Sequence, residues 1–111
     1  MNETGMDVTT ATVEDFIKLT EMKFKEYAGK VKRTSLEWGE WSVIMNREIR
    51  RRIEEKTPDK DKIAMVYQYW VEMSQLLELK WTYKKGFFGK NKIKQKVRHI
   101  KQLRDIICED S

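Results

Sequence analysis

The 111-residue chain contains one proline, one cysteine, one histidine and five glycines. Each scarcity excludes something. A single cysteine, Cys108, cannot form an intramolecular disulfide, and with His99 as the single histidine a structural zinc site lacks ligands. A lone thiol without an export signal is the usage expected of an intracellular, cytoplasmic protein. No apolar run approaches the length needed to cross a bilayer, so no transmembrane helix is expected, and the basic C-terminal helix lacks the wide aromatic and Leu-rich face of a membrane-surface binder. Few turn-forming residues beside abundant Lys, Glu, Arg and Ile imply long helices.

What remains is 40% hydrophobic and 37% charged. That apolar share, arranged periodically, is too high for a disordered chain and suits one domain. The opening "MNETGMDVTTAT" is polar and β-branched. It sets residues 1–10 apart as a flexible arm and leaves 11–111 as a single helical domain.

Four segments follow. The first helix is expected from about Ala11 to Lys32, capped by Thr10 or Thr12, with Glu14 and Asp15 at the positive end of the helix dipole. Its stripe is Val13, Phe16, Ile17, Thr20, Phe24, Tyr27 and Val31. The second starts at "TSLEWGEW", where Thr34 and Glu37 have capping-box spacing. Its apolar face is Trp38, Trp41, Ile44, Met45, Ile49 and Ile53, and Gly39 weakens its first turn. "KTPDKDK" is a boundary, with Thr57 as cap and Pro58 at the first helical position of the third helix. That helix reaches Lys84 or Lys85 and is apolar on two faces. Ile63, Val66, Tyr67, Trp70, Ser74, Leu77 and Trp81 form one; Met65, Tyr69, Leu76, Leu79 and Tyr83 form the other. A helix apolar on most sides is surrounded by others, so it is the central one. Gly86 or Gly89 ends it. The fourth helix runs from a cap at Asn91 to Cys108, with a spine of Ile93, Val97, Ile100, Leu103 and Ile107. The fold class is therefore all-α, a compact four-helix bundle. The competing pattern is "LKWTYK", which alternates like a strand and would make residues 79–95 a winged-helix hairpin.

The charge is uneven. The net is +5, yet residues 79–104 hold ten bases and no acid. A helix built for solubility interleaves Glu with Lys at four-residue spacing, and this one does not. The stretch has the composition of a nucleic-acid surface, because neutralised phosphates release counterions. The residues expected to bind are Lys84, Lys85, Lys90, Lys92, Lys94, Lys96, Arg98, Lys101 and Arg104 at phosphates. Phe87 and Phe88, between two glycines, would stack on or wedge between bases. The bland alternative is a solvated helix with two phenylalanines packing a corner. No base-reading pattern is evident, so DNA or RNA would be bound by charge or shape, with low sequence specificity.

Other constellations carry less. Arg47, Arg50, Arg51 and Arg52 are interspersed with Glu48, Glu54 and Glu55, which points to pairing within the helix. Trp38, Trp41, Trp70 and Trp81 lie on apolar stripes and read as core. Trp38 and Trp41, near a helix start, could instead anchor a partner. His99 has no Ser, Cys or Asp in a catalytic relation to it and reads as a surface residue. Glu37 and Glu40 share a helical face, but Glu72 and Glu78 do not form the facing pair that a metal enzyme needs. No enzyme activity, metal or cofactor is expected. The second reading is a protein-interaction module. It would dock an acidic protein partner or form a homodimer, with Met65, Tyr69 and Leu76 covered by a second copy.

Overall fold

Thr12 and Asp15 start the first helix, α1 (Val13–Ala28), by exchanging hydrogen bonds. The Asp15 N–H donates to the Thr12 hydroxyl at 3.1 Å, and the Thr12 N–H donates to the Asp15 carboxylate at 2.9 Å. Two orphan donors are thus satisfied reciprocally. These bonds hold the Asp15 carboxyl below its ordinary value. The computed structural model describes residues 8–28, 35–82 and 89–109. Beyond α1 it contains α2 (Ser35–Glu54), α3 (Lys60–Thr82) and α4 (Lys90–Cys108), with no strand among the described residues. The chain is an all-α four-helix bundle.

Side-chain pairs give the helix directions. Trp38 meets Ser74 while Ser42 meets Trp70, so α2 and α3 are antiparallel. Lys96 meets Glu72 and Gln75, and His99 lies 3.7 Å from Glu72, so α4 also runs against α3. Tyr69 meets Glu21 and Trp81 meets the Tyr27 carbonyl, so α1 runs with α3. The order is up-down-up-down, with α1, α2 and α4 all packed on α3. Phe16, Ile17, Leu19, Met45, Ile49, Ile63, Val66, Leu77 and Ile107 form the centre of the core. The molecule measures 44 × 32 × 21 Å, and its thin dimension is two helix diameters. One side of α3 is therefore left without a helix over it.

The turn between α2 and α3 is closed by backbone geometry. Thr57 N–H donates to the Arg52 carbonyl and Lys56 N–H to the Ile53 carbonyl, the two bonds of a Schellman ending. Lys56 takes the left-handed position, at φ 54°, that glycine usually fills. Pro58 follows in the turn closed by Lys60 N–H on the Thr57 carbonyl, so α3 starts two residues later than expected.

Several expectations need correction. On α2, Ile44 and Ile53 are exposed, while Glu48 and Arg52 are buried in their place. Tyr67 is 41% exposed although its stripe-mates Ile63, Val66, Trp70 and Leu77 are buried. Tyr69 and Leu76 are buried within the monomer, so they leave no face waiting for a second copy. Val97, placed on the spine of α4, is exposed. Gly89, not Asn91, occupies the cap of α4, with a right-handed backbone and no side-chain cap bond. Residues 79–82 and 90–95 are helical, which removes the hairpin alternative there. Val8 and Thr9, assigned to the arm, are tied down because their carbonyls accept hydrogen bonds from Arg52. Val31, Thr34, Tyr83 and Gly86 fall outside the described residues.

Candidate functional site

The basic residues of α4 divide by direction. Lys90, Lys94, Arg98 and Lys101 are separated by four, four and three residues, which places them on one line along the helix. All four are exposed. Ile100 and Ile107 face the core from the other side. Among the described residues, none of the four has an ion pair or side-chain hydrogen bond. The line is about 16 Å long at 1.5 Å per residue. It also begins at the positive end of the helix dipole, where the first turn contains no acid.

Lys96 and Arg104 are engaged within the fold. Lys96 donates to Glu72 at 2.8 Å and to Gln75 at 2.6 Å. Glu72 also accepts from Gln68 at 2.9 Å. Burial pushes the Glu72 carboxyl up, but the Lys96 ammonium, with His99 and the Gln68 amide adding to it, outweighs burial, and the group ends below the ordinary glutamate range. Arg104 donates through Nε to Glu21, which also accepts from the buried Tyr69 hydroxyl. One α1 carboxylate thereby joins α3 and α4. Burial, reinforced by Glu21, raises the Tyr69 phenol. Lys92 lies one turn before Lys96, on that side of the helix and away from the exposed line. His99 is a surface residue, with its side chain 60% exposed. Lys84, Lys85, Phe87 and Phe88 fall outside the described residues.

The arginines of α2 behave differently. Arg51 forms two hydrogen bonds to Glu48, at 3.1 and 2.6 Å, and one to Glu55 at 2.8 Å. Arg52 reaches Glu48 at 2.7 Å and Asp59 at 3.1 Å, and its guanidinium lies 4.9 Å from the centre of the Phe16 ring. The Arg51 hydrogen bonds, with Arg52 adding to them, hold the Glu48 carboxyl below its ordinary value against the cost of burial. Arg47 and Arg50 stay exposed and have no such partner among the described residues.

A groove of about 690 Å³ opens on the uncovered side of α3. Ser42, Met45, Asn46 and Ile49 of α2 form one wall and Lys96 of α4 the other. The α3 residues Tyr67, Trp70, Val71, Ser74, Gln75, Glu78, Leu79 and Thr82 form its floor. Its deep edge is built by a paired device that was missed at the level of sequence. The Trp38 and Trp70 rings stack at 4.4 Å and 9°. Trp38 Nε1 donates to Ser74, and Trp70 Nε1 donates to Ser42. Each serine donates in turn to the carbonyl of the tryptophan four residues before it. The signal was present as a short repeat, "WGEWS" at 38–42 and "WVEMS" at 70–74. On antiparallel helices such a repeat becomes a local two-fold arrangement.

Lys23 was also unforeseen. It is 2% exposed on the inner side of α1, with its ammonium 4.5 Å from the Trp41 ring centre and 3.7 Å from Glu26. Among the described residues no group of three His, Cys, Asp or Glu is placed to hold a metal, and no helix is long and apolar enough to cross a membrane. Comparison with protein-family models, with curated proteins and with solved structures finds no match.

Proposed function

We propose that the protein is a non-catalytic nucleic-acid-binding module that takes up the phosphate backbone on the outer line of α4. The observation that carries this reading is the set Lys90, Lys94, Arg98 and Lys101, aligned, exposed and without an ion pair among the described residues. Arg104 and Lys96 act in the fold, so the phosphate-binding set is smaller than the composition suggests. Phe87 and Phe88 supply base contacts in this reading. The setting is intracellular, where a lone thiol stays reduced.

The test is a salt titration of binding to single- and double-stranded DNA and RNA. The triple variant Lys94→Glu, Arg98→Glu, Lys101→Glu should keep its helical signal and lose affinity by orders of magnitude. The log–log salt slope should shrink by about 0.9 for each duplex-DNA phosphate that is no longer neutralised. Replacing Phe87 and Phe88 with Ala should cost about 1–3 kcal/mol per stacked base with little change in slope. Absence of binding to every nucleic acid at about 50 mM salt overturns the reading.

A further inference from the structure

We propose that the outer side of α2 pairs with the same side of a second copy of this chain, antiparallel, about a two-fold axis between Val43 and Ile44. Of the eight large apolar side chains that stay exposed among the described residues, three lie within nine residues here. Leu36 is 75% exposed, Val43 56% and Ile44 41%. Trp38, Met45 and Ile49 take the inner side of the same helix, so this cluster is left to solvent. Gly39 stands beside it. A Cβ built there would meet nothing within 4 Å, so the fold does not need a glycine at that position. Glycine costs an exposed helix about 1 kcal/mol relative to alanine. The missing side chain leaves room for a neighbour beside Leu36.

The order of residues selects the occupant. Leu36, Glu40, Val43, Ile44, Arg47 and Arg51 share a sector of about 100° around the helix. Their spacing, 4, 3, 1, 3 and 4, reads the same in both directions. Two such faces packed antiparallel are complementary to themselves, which a two-fold interface requires. Val43 then packs on Val43 of the second copy, and Ile44 on Ile44 of the second copy. Glu40 falls opposite Arg47 on both sides of the axis, and the stem of Arg51 covers Leu36. Glu40 and Arg47 are exposed and have no ion pair within their own chain among the described residues. Each copy carries a net charge of +5, so a contact between copies must be balanced locally. It is balanced, because Arg47 gains Glu40 and Arg51 is already neutralised by Glu48 and Glu55. A parallel pair would instead set Glu40 against Glu40 and Arg47 against Arg47. The face is about 22 Å long and one helix side wide, smaller than a standard interface, so the dimer is weak, with Kd on the order of 100 μM. It includes no residue of α4 and is separate from the α3 positions Met65, Tyr69 and Leu76.

The experiment is sedimentation equilibrium of the full chain from about 10 μM to 1 mM, a range that brackets this Kd. The average mass should rise from that of the monomer toward twice that value. Val43→Glu should abolish the rise. Glu40→Arg and Arg47→Glu should each weaken the dimer at least about tenfold, since each sets like charges face to face. The double swap Glu40→Arg with Arg47→Glu should restore it, because the pair is only reversed. Orientation is read by oxidative cross-linking, with the linked residue identified by mass spectrometry to separate the new thiol from Cys108. Val43→Cys should link two copies. Leu36→Cys should not, because the two Leu36 positions lie about 22 Å apart in the antiparallel pair. All four positions are exposed, and a retained helical signal checks that each variant folds. A mass that stays monomeric at about 1 mM, a dimer indifferent to Glu40→Arg, or a link through Leu36→Cys rather than Val43→Cys overturns the proposal. So does a dimer dissolved by Val71→Glu but not by Val43→Glu, since the groove on α3 would then hold the second copy. The measurement contains no nucleic acid, so its outcome is independent of the phosphate-binding reading.

Discussion

Two parts of this molecule are rich in cations, and they use them in opposite ways. Residues 47–52 place four arginines around Glu48, with Glu55 and Asp59 within reach. Arg51 and Arg52 are consumed there, and Arg52 is buried between α2, the α2–α3 turn and the carbonyls of Val8 and Thr9. Residues 90–101 carry six bases with no acid of their own. Where another helix lends a carboxylate, a base joins the fold, as Lys96 does through Glu72 and Arg104 through Glu21. Where none is lent, the charge faces outward. A charge run indicates function only for the members that the fold leaves unneutralised.

The largest expected effect breaks the α2 side of this comparison. Arg52→Ala removes the guanidinium from the buried Glu48 and from the Val8 and Thr9 carbonyls, and should cost about 3 kcal/mol in denaturant unfolding, the low end for a broken buried pair because Arg51 still holds Glu48. A loss below about 1 kcal/mol would mean that the cluster is only a surface feature. Buried carboxylates in ion pairs also set an acid limit. Glu48 and Glu72 both have folded pKa values below the ordinary 4.5. Their contribution is present above the unfolded value and is lost as pH falls through the folded one, so stability should decline below about pH 4.5. Glu48→Gln should flatten that decline; an unchanged acid limb would assign the loss to other carboxylates.

The next effect probes the neutral counterpart of these ion pairs. Ser74→Ala leaves the buried Trp38 indole N–H without an acceptor, and Ser42→Ala does the same to Trp70. Each should cost about 1–3 kcal/mol, the penalty of an unsatisfied buried donor. The double variant should cost less than the sum, since both serines support one stacked pair. Strict additivity would show the two halves to be independent.

A smaller effect, of opposite sign, lies at the end of the arginine-rich helix. Lys56 holds a left-handed backbone at φ 54°. Lys56→Gly relieves that strain and should stabilise by about 1 kcal/mol, less what glycine adds to the entropy of the unfolded chain. A decrease in Tm would show that the lysine stem packs against the turn.

Much of the bundle was legible because its signals are local. Thr12 with Asp15, the spacing of Ile100 and Ile107, and the step through Ile63, Val66, Trp70 and Leu77 all obey helical periodicity. Polarity misled where charge is buried in pairs. On α2 the inner face runs through Glu48 and Arg52, so ranking residues by hydrophobicity turned the helix toward Ile44 and Ile53. Tyr67 was misplaced for a related reason. It borders the buried stripe of α3, and periodicity cannot say how wide a neighbouring helix makes that stripe. The candidate site was legible as a composition but not as a surface. Which lysines meet Glu72 and which meet water depends on pairings between residues more than twenty apart in the chain.

The smallest effect is expected where the charge is densest. Lys94 sits one turn from Lys90 and one turn from Arg98, and all three are exposed and unpaired among the described residues. Like charges at four-residue spacing destabilise a helix by a few tenths of a kcal/mol. Lys94→Gln removes two such repulsions and no partner. Stability should therefore change by less than about 0.5 kcal/mol. The change should favour the folded state at low ionic strength and vanish near 1 M salt, where the screening length is about 3 Å. Arg52→Ala should keep most of its penalty at that salt, because a buried pair is poorly screened. If Lys94→Gln instead costs more than about 1 kcal/mol, the lysine is part of the fold and the outer line of α4 loses its claim to be a surface kept free for a ligand.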